Sequence, residues 1–550
     1  MSDSEKKTVK TVIDGTEYEF PEGTTILEAA LSVGIEIPHY CYHPALSIAG
    51  ACRMCLVEIE KIPKLQISCY MTVGDGMVIH TGNERVKLAR QAMLEFHLAN
   101  HPLDCPVCDQ AGECGLQEYY MLHGLYLSRL AENKVKKTKK AFSIGPHVML
   151  DQERCILCGR CVRFCAEISK SFELGIFERG DRSEIDIFEN RQLDNPYSGN
   201  VVDICPVGAL TDKDFRFKTR VWYLERAESV CPGCANGCNI EIHYNLKRPY
   251  KNNGRRISRI KPRYNPEVND WWICDEGRYC FKFVDDEDRL CQPGLLNEGR
   301  RVETTWEQAL AQAATSMSAV ASGAKKGEVA FLVSPRAANE ELHLLRRVLA
   351  EQLPGSLIAF STATAGEPTE DEFLRKADKN PNTAGAELIG LTEAQADVIG
   401  LNQLKAKALA GELGALYICY HNLLGLPSNV NSGWEEALDR VEMLIYQGTN
   451  SSRTSERAQV ILPAATFAER EGTVVNAGGR IQIQYRAFEP LADSLPGWEI
   501  WQRLGVALGG TYNFQSAEEV FLDLAKKNKA FAALDYEKIG STGIKLAKNI

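Results

Sequence analysis

Residues 155–167 read CILCGRCVRFCAE. Cys155, Cys158, Cys161 and Cys165 follow one another with two, two and three residues between them. Thiolates packed so closely suit iron, because they are soft, charged donors. The chain carries nineteen cysteines in 550 residues; eighteen lie before residue 292 and only Cys419 follows. The N-terminus, MSDSEKKTVK, is polar and shows no apolar export signal. A reducing compartment is therefore expected, in which so many cysteines are metal ligands rather than disulfides.

The run resembles C-x2-C-x2-C-x3-C-P, the bacterial ferredoxin pattern whose fourth cysteine serves a second cluster. Ala166 stands where proline is expected, and far downstream CPVGAL supplies Cys205 and Pro206, the end of a second run. Counting back from Cys205, the second triad belongs at 195, 198 and 201, which hold Asn195, Ser198 and Val201. The second cluster has thus lost its ligands. Cys155, Cys158, Cys161 and Cys205 remain as one complete [4Fe–4S] set, and Cys165 is expected to be a buried thiol.

Three further groups flank this one. HPLDCPVCDQAGECGLQ (101–117) offers His101, Cys105, Cys108 and Cys114, with Pro102 and Pro106 stiffening the loop and Gly112 and Gly115 allowing sharp bends. Spacing alone suits zinc about as well as iron–sulfur; the neighbouring motifs tip the group toward [4Fe–4S]. Cys41, Cys52, Cys55 and Cys69 have the close pair and two flanking cysteines of a [2Fe–2S] loop, with zinc as the competing ligand reading. CPGCANGC (231–238) gives Cys231, Cys234 and Cys238, and Cys274 follows, a [4Fe–4S] pattern. The remaining Cys165, Cys280, Cys291 and Cys419 are expected to be packing residues.

Around these groups the elements are readable. Residues 7–20 alternate about an Asp14-Gly15 turn, a hairpin. Thr25 and Glu28 form a capping box before ILEAALSV, and Gly34 ends that helix. Residues 84–99 have helical spacing in Val86, Ala89, Met93 and Phe96 and deliver His101. KVKKTKK (134–140) reads as a linker or exposed loop. Past residue 300 the texture changes to α/β: EVAFLVSP, GALYICYH and VEMLIYQG look like buried strands, separated by helical stretches such as ANEELHLLRRVLAEQL. No G-x-G-x-x-G after a strand and no Walker A loop occurs. The net charge is −10 with no long basic run, so nucleic acid is not an expected partner. No apolar run reaches the roughly 18 residues of a membrane span.

CRMCLVEIE (52–60), HPLDCPVCDQAGECGLQ and RCILCGRCVRFC (154–165), in this order, resemble the large iron–sulfur subunit of NADH:quinone oxidoreductase, respiratory complex I. RYNPEVNDWWICDEGR (263–278) and QGTNSSRTSERAQVILPAATFAEREGTVVNAGGRIQ (447–482) are similar to the molybdopterin-oxidoreductase-type domain at the C-terminal end of that family. The resemblance implies a multidomain α/β and α+β protein. A β-grasp [2Fe–2S] ferredoxin domain (1–82) is followed by a helical [4Fe–4S] segment with one histidine and three cysteine ligands (83–140). A ferredoxin-like [4Fe–4S] domain with one cluster lost comes next (141–225). A [4Fe–4S] domain of molybdopterin-oxidoreductase type (226–290) and a shortened α/β domain without cofactor (291–550) complete the chain.

Molybdenum relatives carry a lysine beside the pterin soon after the last cluster cysteine; here Glu276 holds that place, which argues against an anionic pterin. The family implies one [2Fe–2S] and three [4Fe–4S] clusters and partnership with the flavin-bearing, NADH-oxidising subunit and other peripheral-arm subunits. It also implies a peripheral position on the cytoplasmic side of a bacterial inner membrane. Two rival readings are a molybdenum-dependent, formate dehydrogenase-type catalytic subunit and an electron-transfer subunit of an NAD-linked hydrogenase.

Overall fold

The structure is a computed structural model that describes residues 7–366 and 368–547. It divides into two compact units, Met1–Leu224 and Glu225–Ile550.

In the first unit the N-terminal hairpin pairs Thr8–Ile13 with Thr16–Pro21, Val9 opposite Phe20. These strands belong to a five-stranded sheet ordered Thr16–Pro21, Thr8–Ile13, Met77–His80, Leu56–Ile59, Gln66–Ile67. The helix Ile26–Ser32 buries Ile26, Leu27, Ala29 and Ala30 against this sheet's core residues. It starts as the sequence reading expects: Thr25 Oγ1 accepts from Glu28 N (3.2 Å) and Thr25 N donates to Glu28 Oε2 (3.1 Å). Gly34 follows at φ +80°, which suits a residue without Cβ.

The helix Glu84–Ala99 has the expected bounds, capped by Asn83, whose side chain accepts from Val86 N at 3.0 Å. Its buried line differs from the expected one. Val86, Arg90 and Leu94 are inside, whereas Phe96 is 74% exposed. Apolar residues stand on both faces of this helix, so spacing alone could not choose between them. After Gly115–His123, the basic 134–140 stretch forms an exposed loop. It is tied down by Lys137 donating to Asp181 O (2.7 Å) and by ion pairs of Lys139 with Asp186 and Lys140 with Glu153. The rest of the unit is a three-stranded sheet (Leu210–Asp212, Val148–Asp151, Ala141–Ser143), the hairpin Leu174–Phe177 with Glu184–Ile187, and the helices Arg160–Glu167 and Asn200–Asp203.

The second unit opens with an antiparallel sheet, Glu225–Val230, Asn239–Tyr244, Ile257–Pro262. Its body is an eight-stranded sheet ordered Arg300–Glu303, Gly294–Asn297, Val460–Pro463, Met443–Gly448, Leu413–Cys419, Glu328–Val333, Leu357–Phe360, Val398–Ile399. The last six are mutually parallel and the first two form an antiparallel hairpin at the edge. Leu413–Cys419 is buried throughout, as a parallel strand covered on both faces must be. The helices Trp306–Ala321, Asn339–Gln352, Gly497–Ala507 and Ala517–Lys527 supply one apolar layer, in which Phe331, Tyr417 and Trp501 pack together.

Candidate metal centres

Cys41, Cys52, Cys55 and Cys69 are all buried, at 1, 5, 2 and 0% exposure. Their thiols meet in two pairs, Cys41 with Cys52 and Cys55 with Cys69. In each pair one thiol is drawn down and its partner pushed up, because the protonated sulfur donates to the ionising one. Tyr40 N lies 3.4 Å from Cys52 Sγ.

The second group rings a small cavity. His101, Cys105, Cys108 and Cys114 line it together with Asp104, Arg154 and Gly208. His101 Nδ1 is buried with no hydrogen-bond partner among the described residues. Burial, reinforced by Lys134 and Arg154, holds the imidazole down at about 4, so the ring is neutral, the form that binds metal. Gly208 closes one wall so tightly that a Cβ there would fall 2.2 Å from Cys108 Sγ.

The third group rings another cavity, lined by Cys155, Cys158, Cys161 and Cys205 with Leu150, Ile185, Val207 and Leu210. Burial pushes all four thiols up, Cys205 to about 12. A thiol so disfavoured as a bare anion is ready to give its proton up only to a cation that replaces it. Cys165 is fully buried but does not line this cavity; its surroundings are Ser169, Ser171 and Glu173. Where a second triad would stand, Asn195 N donates to Glu173 Oε1 (3.0 Å), and Ser198 and Val201 are both fully buried.

These three groups adjoin. Arg163 Nη2 donates to both Cys41 O and Cys158 O, so the first and third loops are neighbours. Gly115 N donates to Pro206 O at 2.9 Å, joining the second group to the third.

In the second unit Cys231, Cys234, Cys238 and Cys274 are buried together, at 4, 7, 4 and 6% exposure. Gly233 N and Gly277 N donate to Cys231 Sγ (3.4 Å) and Cys274 Sγ (3.3 Å), and Asn236 Nδ2 to Cys238 Sγ (3.1 Å). The Cys280 thiol hydrogen-bonds to that of Cys231, a contact that spacing did not announce because Cys280 lies just past the one-turn helix Asp275–Tyr279. Glu276 faces Lys379 Nζ at 2.9 Å, and that lysine also donates to Thr369 O (3.0 Å). The cation near this loop thus comes from elsewhere in the chain and is already paired.

Among the described residues no three His, Cys, Asp or Glu side chains close on a single metal ion. The second and third groups instead stand around open space, and the donor chemistry of thiolates with one neutral imidazole fits iron–sulfur clusters.

Comparison with known proteins agrees with this order of sites. Residues 6–84 match the 2Fe-2S iron-sulfur cluster binding domain, 90–129 the NADH-ubiquinone oxidoreductase-G iron-sulfur binding region, and 145–211 the ferredoxin-like domain of NADH-quinone oxidoreductase subunit 3. Residues 224–286 match the molybdopterin oxidoreductase Fe4S4 domain and 370–507 molybdopterin oxidoreductase. The G subunit of NADH-quinone oxidoreductase from Rickettsia conorii is 31% identical, over 96% of this chain and 92% of the relative. The NADH-ubiquinone oxidoreductase 75 kDa subunit of Reclinomonas americana is 40% identical over 68% of this chain and 53% of its own length. A chain of an NAD+-reducing [NiFe]-hydrogenase structure is 32% identical and covers 39% of this chain and 91% of that chain, with a TM-score of 0.36. With binding domains for 2Fe-2S and 4Fe-4S clusters in this order and near full-length likeness to the Rickettsia protein, the chain belongs to the G-subunit family of NADH-quinone oxidoreductase.

Proposed function

We propose that this chain is the iron–sulfur electron carrier of the peripheral arm of an NADH:quinone oxidoreductase. It takes electrons from the flavin-bearing, NADH-oxidising subunit and passes them toward quinone. The observation that carries the reading is the joining of three cysteine groups in one compact unit, linked loop to loop through Arg163 and Gly115. Cys41, Cys52, Cys55 and Cys69 hold a [2Fe–2S] cluster. His101, Cys105, Cys108 and Cys114 hold one [4Fe–4S] cluster, Cys155, Cys158, Cys161 and Cys205 a second, and Cys231, Cys234, Cys238 and Cys274 a third. The clusters supply one-electron redox chemistry; the chain's own residues fix their spacing, bury them and donate backbone N–H groups to the sulfurs.

The domain divisions at 82, 140, 225 and 290 go with this assignment; the boundary between Leu224 and Glu225 supports the third. No described helix is long and apolar enough to cross a membrane, which fits a peripheral subunit, placed here on the cytoplasmic side of a bacterial inner membrane. The Glu276–Lys379 pair supports a C-terminal region without molybdopterin.

The test is anaerobic purification of the intact complex. The flavin-bearing subunit is expected to co-purify, with roughly 14 iron atoms per copy of this chain assigned to its sites and no stoichiometric molybdenum or tungsten. About ten iron atoms, or stoichiometric zinc, would contradict the second or fourth ligand set. One molybdenum per chain would favour a formate dehydrogenase-type enzyme instead.

A further inference from the structure

The helix Arg160–Glu167 carries Cys161 of the third cysteine group, and its side chains dock on the loop that follows Cys41 of the first. Arg160 donates through Nη1 to the carbonyl oxygen of Ile204, the residue before Cys205 (3.1 Å), and through Nη2 to Tyr42 O. Arg163, one turn on, donates through Nη2 to Cys41 O and to Cys158 O (3.3 Å). Its Nη1 donates to Ser47 O and its Nε to Gly159 O (3.3 Å). Each guanidinium thus grips main chain of both groups at once.

All six of these bonds end on backbone carbonyl oxygens, which are dipoles without net charge. The helix's own acid, Glu167, is taken up by Ser47, whose N–H donates to Oε2 at 2.8 Å and whose hydroxyl donates to Oε1. Both arginines are half-buried, so water meets part of each charge. What the six bonds fix is the place of that charge, against ligand residues of two groups. Burial works against the Arg160 charge, and the sulfurs of Cys158, Cys205 and Cys41 work for it. Arg160 and Arg163 in turn both favour the Cys158 thiolate.

A cluster held by four thiolates is an anion, and reduction adds a further negative charge. Two such anions side by side oppose each other's reduction, because each electron enters against the field of the other cluster. A fixed cation beside both offsets that repulsion and makes both easier to reduce. Given the cluster assignment above, on which this rests, we propose that Arg160 and Arg163 form one cationic clamp shared by two clusters. The clamp raises the potentials of the [2Fe–2S] cluster of the Cys41 group and of the [4Fe–4S] cluster of the Cys155 group.

Potentiometric EPR titration of the intact, anaerobically prepared complex tests it. The wild type should show a [2Fe–2S] signal and a [4Fe–4S] signal that Cys205→Ser removes. Absence of either from the wild type contradicts the cluster assignment, and the clamp falls with it. A unit charge acting over roughly 10 Å at an effective dielectric of about 20 changes a one-electron equilibrium about ten-fold, or about 59 mV. Arg163→Gln should lower both midpoint potentials by about that amount, and so should Arg160→Gln. Arg160→Lys and Arg163→Lys lose the forked bonding but keep the charge, and should stay near wild type. A merely structural tie would instead be disturbed in the Gln and Lys variants alike.

Unshifted potentials in a Gln variant that retains both signals, or a shift confined to one cluster, overturn the proposal. So do Lys variants displaced as far as the Gln variants. If the Gln variants lose a signal, the Lys variants decide. Both signals at near wild-type potentials support the clamp, and loss of a signal from the Lys variants as well overturns it.

Discussion

Gly208 shows how a single atom governs a site. Its Cα stands against the proposed ligand Cys108, and a methyl group there would lie 2.2 Å from Sγ and 3.1 Å from Gln110 Cβ, closer to the sulfur than real side chains pack. Gly208→Ala must displace Cys108. It should cost one [4Fe–4S] signal by low-temperature EPR, while Gly82→Ala, with nothing within 4 Å, keeps all of them. A full set of signals from Gly208→Ala would refute the closeness of this packing. Cys165 is the opposite case. It is a cysteine in a ferredoxin-like run whose thiol faces Ser169, Ser171 and Glu173 rather than the cavity of its neighbours. Cys165→Ser should preserve every cluster spectrum and Cys205→Ser should remove one. Loss of a cluster in the first variant would make Cys165 a ligand.

At the scale of elements, legibility follows how local the cause is. The capping box at Thr25 and Glu28 lies within four residues, and the structure forms it as read. The buried strands of the α/β region were readable because both their faces are covered, which leaves a continuous apolar run. The inward face of Glu84–Ala99 was not, since Leu88 and Phe96 are exposed while Arg90 is inside, its Nη2 3.5 Å from Leu56 O. Nor was the docking of the helix Arg160–Glu167 on the Cys41 loop, whose bonds join residues more than a hundred positions apart.

The helix Asn339–Gln352 hid a second surprise, a pair of glutamates buried in its first turn. Burial raises Glu340 to about 7, against hydrogen bonds from Thr473 N (2.8 Å), Thr473 Oγ1 (2.8 Å) and Tyr536 OH (3.0 Å). The folded state therefore holds this proton more tightly than the unfolded chain. The resulting stability is complete below the unfolded value near 4.5 and is lost as pH rises through about 7. The loss is on the order of 3 kcal/mol at most. Glu340→Gln should flatten the fall in Tm between pH 5 and pH 8 relative to wild type. Parallel curves for the two proteins would show that Glu340 does not titrate in that window.

For the whole molecule, the fourth cysteine group poses the sharpest question. The alignment with the Rickettsia conorii relative runs to 631 positions, more than the 550 residues of this chain can fill, so the relative carries stretches that are missing here. The Cys231 loop has nonetheless kept its four cysteines, and it is stitched to distant parts of its own unit. Ala235 N donates to Asp378 O (2.9 Å) and Ala477 N to Ala235 O (2.8 Å). Asn476, Gln482 and Gln484 donate through their side chains to the carbonyls of Asn236, Gly237 and Val230, at 3.0, 2.9 and 3.2 Å. A cluster at this loop would fix the geometry on which those five bonds depend, and metal–ligand bonds add directly to folding free energy. Glu276 and Lys379 are paired beside it; in the proposed assignment, which has no pterin there, an electron sent that way would have no acceptor. The fourth cluster is accordingly expected to hold the structure together and to lie off the electron path. Cys234→Ala should lower the thermal stability of the complex, by roughly 1–2 °C for each kcal/mol lost in a unit of this size, or reduce its assembly. Complexes that do assemble should keep near-normal NADH-to-quinone turnover per flavin. Full assembly with collapsed turnover would put the cluster on the path and end this reading.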